Sequence, residues 1–212
     1  MIYQVSKLLR DVRVCLDRNM SSTALAELGD VDTLSQDELI ESKLLESVKR
    51  VHLSAPIHLL ESGHNFGDAL YWRDLESGWV LLPDDFMRLV VFEMDDWERA
   101  VYAALRADSP EAVVQHSRYK GLRGTSEHPV CVLDVRAEGK VLEFYSCKSQ
   151  SAQVRRGVYL PYPVIDANGG IDISERCYQS VVYTAAGLVL LTVGETEAGE
   201  ASLQTAQTLL QQ

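Results

Sequence analysis

At 212 residues the chain is long enough for one full domain with a small insertion, and 46% hydrophobic with 24% charged residues is the make-up of an ordinary globular protein. A net charge of −11 opposes phosphate binding, and Cys15, Cys131, Cys147 and Cys177 show no C-x-x-C spacing, so free thiols in a reducing compartment are expected rather than a disulfide framework. The charged, amphipathic start MIYQVSKLLRDVRVCLDR lacks the apolar core of a secretory signal, and the 13-residue run Val181 to Val193, broken by Tyr183, Thr184 and Thr192, is too short to span a bilayer.

In chain order, Val5, Leu8, Leu9, Val12 and Leu16 recur at helical spacing and predict a helix over about 3–18. A polar stretch with Gly29, Asp30 and Asp32 follows. Ser35 with Glu38 forms a capping-box signature for a helix over 36–62, which Pro56 should kink or split before Gly63 ends it. The period then changes. Leu70 to Trp72 and Trp79 to Leu82 flank a Glu-Ser-Gly turn and predict a hairpin. Met87 to Met94 reads as a strand and Ala100 to Ala103 as a short one. Ser109 and Pro110 open a short helix to about His116.

A second hairpin is expected from Val130 to Val135 and Val141 to Tyr145, around Glu138-Gly139, with a last strand over Val154 to Leu160. After the tight turn Asn168-Gly169-Gly170, a long helix opens at Ile173-Ser174, and its Ala185-Ala186-Gly187 would let another helix approach closely. Residues 197–211 predict a final helix. The fold class expected is α+β: a helical bundle from 1–62 and 163–212, with an antiparallel β-rich region inserted at 63–162.

No residue pattern in the chain builds a catalytic centre. Cys147 with His128 and Asp134 contains the residue types of a nucleophile, base and orienter, but nothing near Cys147 marks an activated thiolate. Asp84-Asp85 and Asp95-Asp96 sit at strand ends, where adjacent carboxylates cap turns. Gly121 and Gly124 fit neither phosphate-loop spacing. Trp72, Trp79 and Trp97 are expected to anchor the sheet core. His52, His58, His64, His116 and His128 show no metal-ligand pattern, so neither metal nor cofactor is expected.

Charge is segregated. Residues 84–111 hold eight acids against three bases, 115–156 hold eight bases against four acids, and nothing after Arg176 is Lys or Arg. The loop Arg118 to His128 interleaves Arg118, Lys120 and Arg123 with Tyr119 and Leu122, between glycines that permit unusual backbone angles. It reads either as a plain flexible connection or as a docking element for an acidic neighbour, poorly held in isolation.

The passage Trp79-Val80-Leu81-Leu82-Pro83-Asp84-Asp85-Phe86-Met87-Arg88-Leu89, after an N-terminal helix pair, resembles head–tail connector (adaptor or ring) proteins of short-tailed bacteriophages. RYKGLRGTSEHPVC, LEFYSC and SERCYQSVVYTAAGLVLLTVGE are similar to the portal-adjacent ring protein of crAss-like phages, so the resemblance covers most of the chain. It implies one connector domain over 1–212 and a non-enzymatic virion protein assembled in the host bacterial cytoplasm. Such a protein forms a ring, commonly of twelve copies, between the portal and the tail or other ring proteins. It would extend a channel through which DNA passes without being bound specifically. A protein-interaction or adaptor module with no phage role is the other reading of the same features.

Overall fold

The computed structural model describes residues 1–16, 35–61, 63–73, 76–117 and 119–211, and Lys120 by its backbone alone. The polar stretch with Gly29, Asp30 and Asp32, the end of the first predicted helix at 17–18, and Arg118 lie outside the described residues. The chain folds as a mixture of helices and largely antiparallel sheets, in two compact units: residues 1–62 with 163–212, and residues 63–162 between them.

In the first unit, α1 (Val5–Cys15), α2 (Gln36–Ser54) and α4 (Tyr178–Val193) share one aliphatic core. Leu8 and Val12 come from α1, Ile40, Leu44, Val48 and Val51 from α2, and Val181, Val182, Ala185, Ala186 and Val189 from α4. A helix apolar on nearly every side must be surrounded to be stable, and α4 packs against α1, α2 and α5 (Thr196–Leu209). Gly187 and Gly199 make the α4–α5 crossing possible: a Cβ on Gly187 would lie 2.9 Å from the Gly199 carbonyl oxygen. Gly194, at φ 93°, turns the chain between these helices in the left-handed conformation that favours glycine.

The capping box at the head of α2 is complete, with Ser35 accepting from the Glu38 amide while the Glu38 carboxylate accepts from the Ser35 amide at 2.8 Å. The helix stops at Ser54, because Ala55 precedes Pro56 and is held extended; a single 3-10 turn, Ile57–Leu59, follows. The first helix starts later than its periodicity suggests. Ile2–Gln4 is a strand, β1, paired antiparallel with β10 (Gly170–Asp172). Tyr3 on β1 lies 4.4 Å from the Tyr178 ring at the head of α4, with the Lys7 ammonium over both rings. The Tyr178 hydroxyl donates to Asp11 at 2.6 Å.

In the second unit, a five-stranded sheet runs β3 (Leu70–Trp72), β4 (Gly78–Leu81), β8 (Gly139–Phe144), β7 (Cys131–Arg136) and β6 (Leu105–Arg106). A three-stranded sheet runs β2 (His64–Asn65), β9 (Val154–Pro161) and β5 (Phe86–Met94). Both hairpins expected in the sequence form here. One pairing departs from the antiparallel rule, since β6 runs parallel to β7. The strand expected over Ala100 to Ala103 is reduced to one bridge, Val101 to Phe92, whose two backbone bonds are 2.8 Å each. The two sheets enclose an aromatic core of Phe66, Phe86, Phe92, Trp97, Phe144 and Tyr159. Among the described residues, no helix is long and apolar enough to cross a membrane.

Candidate interaction surface

The short helix α3 (Pro110–Gln115) is capped by the Ser109 hydroxyl, which accepts from the Ala112 amide. Ala112 packs with Val132 and Tyr145 on the five-stranded sheet, and this leaves Val113 and Val114 on the outer side, both exposed. The chain then passes through a 3-10 turn, Lys120–Leu122, that puts Tyr119 and Leu122 in solvent at 74% and 57% exposure. Four apolar side chains are therefore exposed within ten residues of sequence.

The described part of this loop is bonded to its surroundings at several points. The Gln115 side chain accepts from the Gly124 amide at 2.8 Å, and Ser126 accepts at 2.9 Å from the Glu98 amide. Thr125 and His128 close a turn on each other, and Arg123 lies 3.4 Å from Glu76. Neither Gly121 nor Gly124 has positive φ; Gly124 is needed for space, since a Cβ there would lie 2.7 Å from the Ser146 hydroxyl. Of the residues singled out in the sequence, Tyr119, Leu122 and Arg123 thus lie together on one scaffolded segment. Lys120 is known by its backbone alone, and Arg118 is not described.

Under the loop lies a cavity of about 200 Å³ lined by Glu76, Arg123, Thr125, Tyr145, Cys147 and Lys148. Burial, with the nearby Asp96 carboxylate, pushes the Cys147 thiol up to about 12, the opposite of an activated nucleophile. Its imagined partners serve elsewhere. His128 closes its turn, and Asp134 lines a separate cavity of about 220 Å³ with Leu82, Phe86 and Val135. The side chains of the paired acids accept from segments distant in sequence instead of capping their own turns: Asp85 receives the Tyr159 hydroxyl at 2.8 Å, and Asp95 receives the Gln153 amide at 3.0 Å. Among the described residues, no group of His, Cys, Asp and Glu could hold a metal ion.

Sequence inspection misses a charged centre on the outer face of the five-stranded sheet. Glu143 on β8 is 3% exposed and accepts from Arg136, from the Tyr145 hydroxyl and, at 3.5 Å, from Arg73. Burial alone would raise its carboxyl. The bonds from Tyr145 and Arg136, with the charges of Arg136 and Arg73, outweigh that and hold it below the usual range. Trp79, expected in the core, lies on this outer face instead. Its strand register pairs it with Tyr71 and Glu143, and its ring stacks on Tyr71 at 4.2 Å with the Arg136 guanidinium 4.8 Å away. Trp72 and Trp97 do pack edge-on against core phenylalanines. The signal available in the sequence is the lone acid Glu143 in the apolar strand Val141 to Tyr145, with arginines on neighbouring strands. No protein-family model matches the chain, and no curated protein matches it significantly.

Proposed function

We propose that this chain is a structural virion protein, a ring-forming connector between portal and tail that extends the DNA channel of a short-tailed phage. In this reading α1, α2, α4 and α5 form the connector's helical bundle. Residues 63–162 are an inserted docking unit, and the protein works by assembly rather than turnover. The observation that carries it is four exposed apolar side chains within ten residues, Val113 and Val114 on α3 and Tyr119 and Leu122 on the following segment, which is bonded to Gln115 and Glu98. Exposed apolar side chains in a stretch whose sequence also carries Arg118, Lys120 and Arg123 suit a partner whose surface is apolar and acidic.

Charge supports the channel role. Residues 1–62 and 163–212 together carry eight basic and sixteen acidic side chains, and acidic groups repel a passing duplex instead of retarding it. Duplex DNA should therefore show no binding in an anisotropy titration at about 150 mM salt. Portal protein should bind the parent chain, and Tyr119→Ala with Leu122→Ala should weaken that binding about tenfold or more while the melting temperature stays put. Unchanged portal affinity in the double variant would remove this surface from the account, and no portal affinity in the parent would remove the connector reading.

A further inference from the structure

The outer face of the β3–β4 edge carries a second surface, separate in composition from the loop Tyr119 to His128. Tyr71 is 46% exposed and stacked on Trp79, with Leu81 exposed beyond them on β4. Arg73 stands beside this stack with its side chain 45% exposed. Its only ion-pair acceptor among the described residues is Glu143, at a long 3.5 Å, because Arg136 and Tyr145 already occupy that carboxylate. A guanidinium has five donors, so against the described residues Arg73 has donors left over for a carboxylate arriving from solvent. A flat aromatic pair beside an under-used arginine is the composition of an interface centre.

The chain itself contains the matching surface. Helix α5 exposes Glu197, Ala201, Gln204 and Thr208 along one side, with Glu200 and Ala198 beside them. Nothing after Arg176 can neutralise these acids within their own stretch of sequence. Small side chains let a flat aromatic surface approach, and two glutamates carry the charge that a guanidinium takes. We infer that the Tyr71–Trp79–Arg73 surface of one copy takes the acidic side of α5 from a second copy. This inference rests on the ring reading and names the surfaces of its copy-to-copy contact. Two different patches joined head to tail make a heterologous interface, which closes into a ring when the rotation allows.

The test is charge reversal with a mixing arm, read by light scattering for the chain alone and with portal protein present. Arg73→Glu, and separately Glu197→Lys with Glu200→Lys, should each weaken assembly about tenfold, since like charges then face one another. Mixed in equal amounts, the two variants should regain assembly within about twofold of the parent, because every contact in an alternating ring again pairs opposite charges. Arg73→Glu puts an acid beside the buried Glu143, so the melting of each variant is followed. If that variant unfolds, the exposed α5 reversal and Arg73→Gln decide, and each must weaken assembly. A parent that assembles while the α5 reversal assembles equally well, or two folded reversals that fail to rescue one another, overturns the inference and leaves the ring reading standing. A parent that stays monomeric alone and with portal protein overturns both.

Discussion

The two units of this chain solve the same problem, burying an apolar core, with different materials. Residues 1–62 and 163–212 do it with aliphatic stripes and close helix crossings. Their core takes Val, Leu, Ile and Ala from α1, α2 and α4, and α5 seats on α4 through facing glycines. Residues 63–162 do it with rings: Phe66, Phe86, Phe92, Trp97, Phe144 and Tyr159 between two sheets. The charges differ as well, eight basic to sixteen acidic in the first unit against twelve to fifteen in the second. The lesson is where each can tolerate change. A glycine crossing fails when a methyl is added, a ring core fails when a ring is removed, and each suits a different surface chemistry.

The largest effect should come from the ring core. Phe144 is fully buried and touches Phe92 at 6.1 Å and Trp72 at 5.3 Å between centroids. Phe144→Ala should cost about 3–5 kcal/mol in denaturant unfolding, and a loss under about 1 kcal/mol would mean that the sheets are not packed as described. Next comes the buried charge. Glu143→Gln keeps the shape but leaves Arg136 and Arg73 without their anion, which should cost about 1–3 kcal/mol at neutral pH.

The sign of the pH dependence follows from the depressed carboxyl. Its stabilisation is present above the unfolded value of 4.5 and is lost as pH falls through the lower folded value. The gap between parent and Glu143→Gln should accordingly shrink in acid; a gap that widens would reverse the assigned direction.

In the helical unit, Gly187→Ala should destabilise by about 1–3 kcal/mol despite the better helix propensity of alanine, because the new Cβ meets the Gly199 carbonyl. A variant as stable as the parent would show that α5 can shift aside. The smallest stability effect belongs to the exposed loop: Tyr119→Ala should leave thermal unfolding within about 0.5 kcal/mol of the parent. A larger loss would make Tyr119 part of the fold and not of a docking surface.

These differences also govern what the sequence made visible. Local chemistry was legible: the Ser35–Glu38 capping box, the Pro56 stop, the Ser109–Pro110 helix start and both hairpins rest on turn and cap residues that act within a few positions. The helix-approach signal at Ala185-Ala186-Gly187 was legible for the same reason, with Gly187 at the crossing. Long-range register was not. Trp79 faces away from the core because the β3–β4 register pairs it with Tyr71 and leaves Trp72 opposite Gly78. Three residues of β1 carry no period of their own and become a strand only because β10, some 170 positions away, supplies the pairing. The ties of the 119–128 loop come from the Gln115 and Glu76 side chains and the Glu98 backbone amide, which give no local signal until the chain is folded.

The central claim, a protein that acts by assembling at a portal, is tested most directly by electron micrographs of the purified chain mixed with portal protein. The account predicts a closed ring of repeated copies seated coaxially on the portal, with an open channel at its centre. Portal particles left bare beside monodisperse single copies of this chain would contradict it.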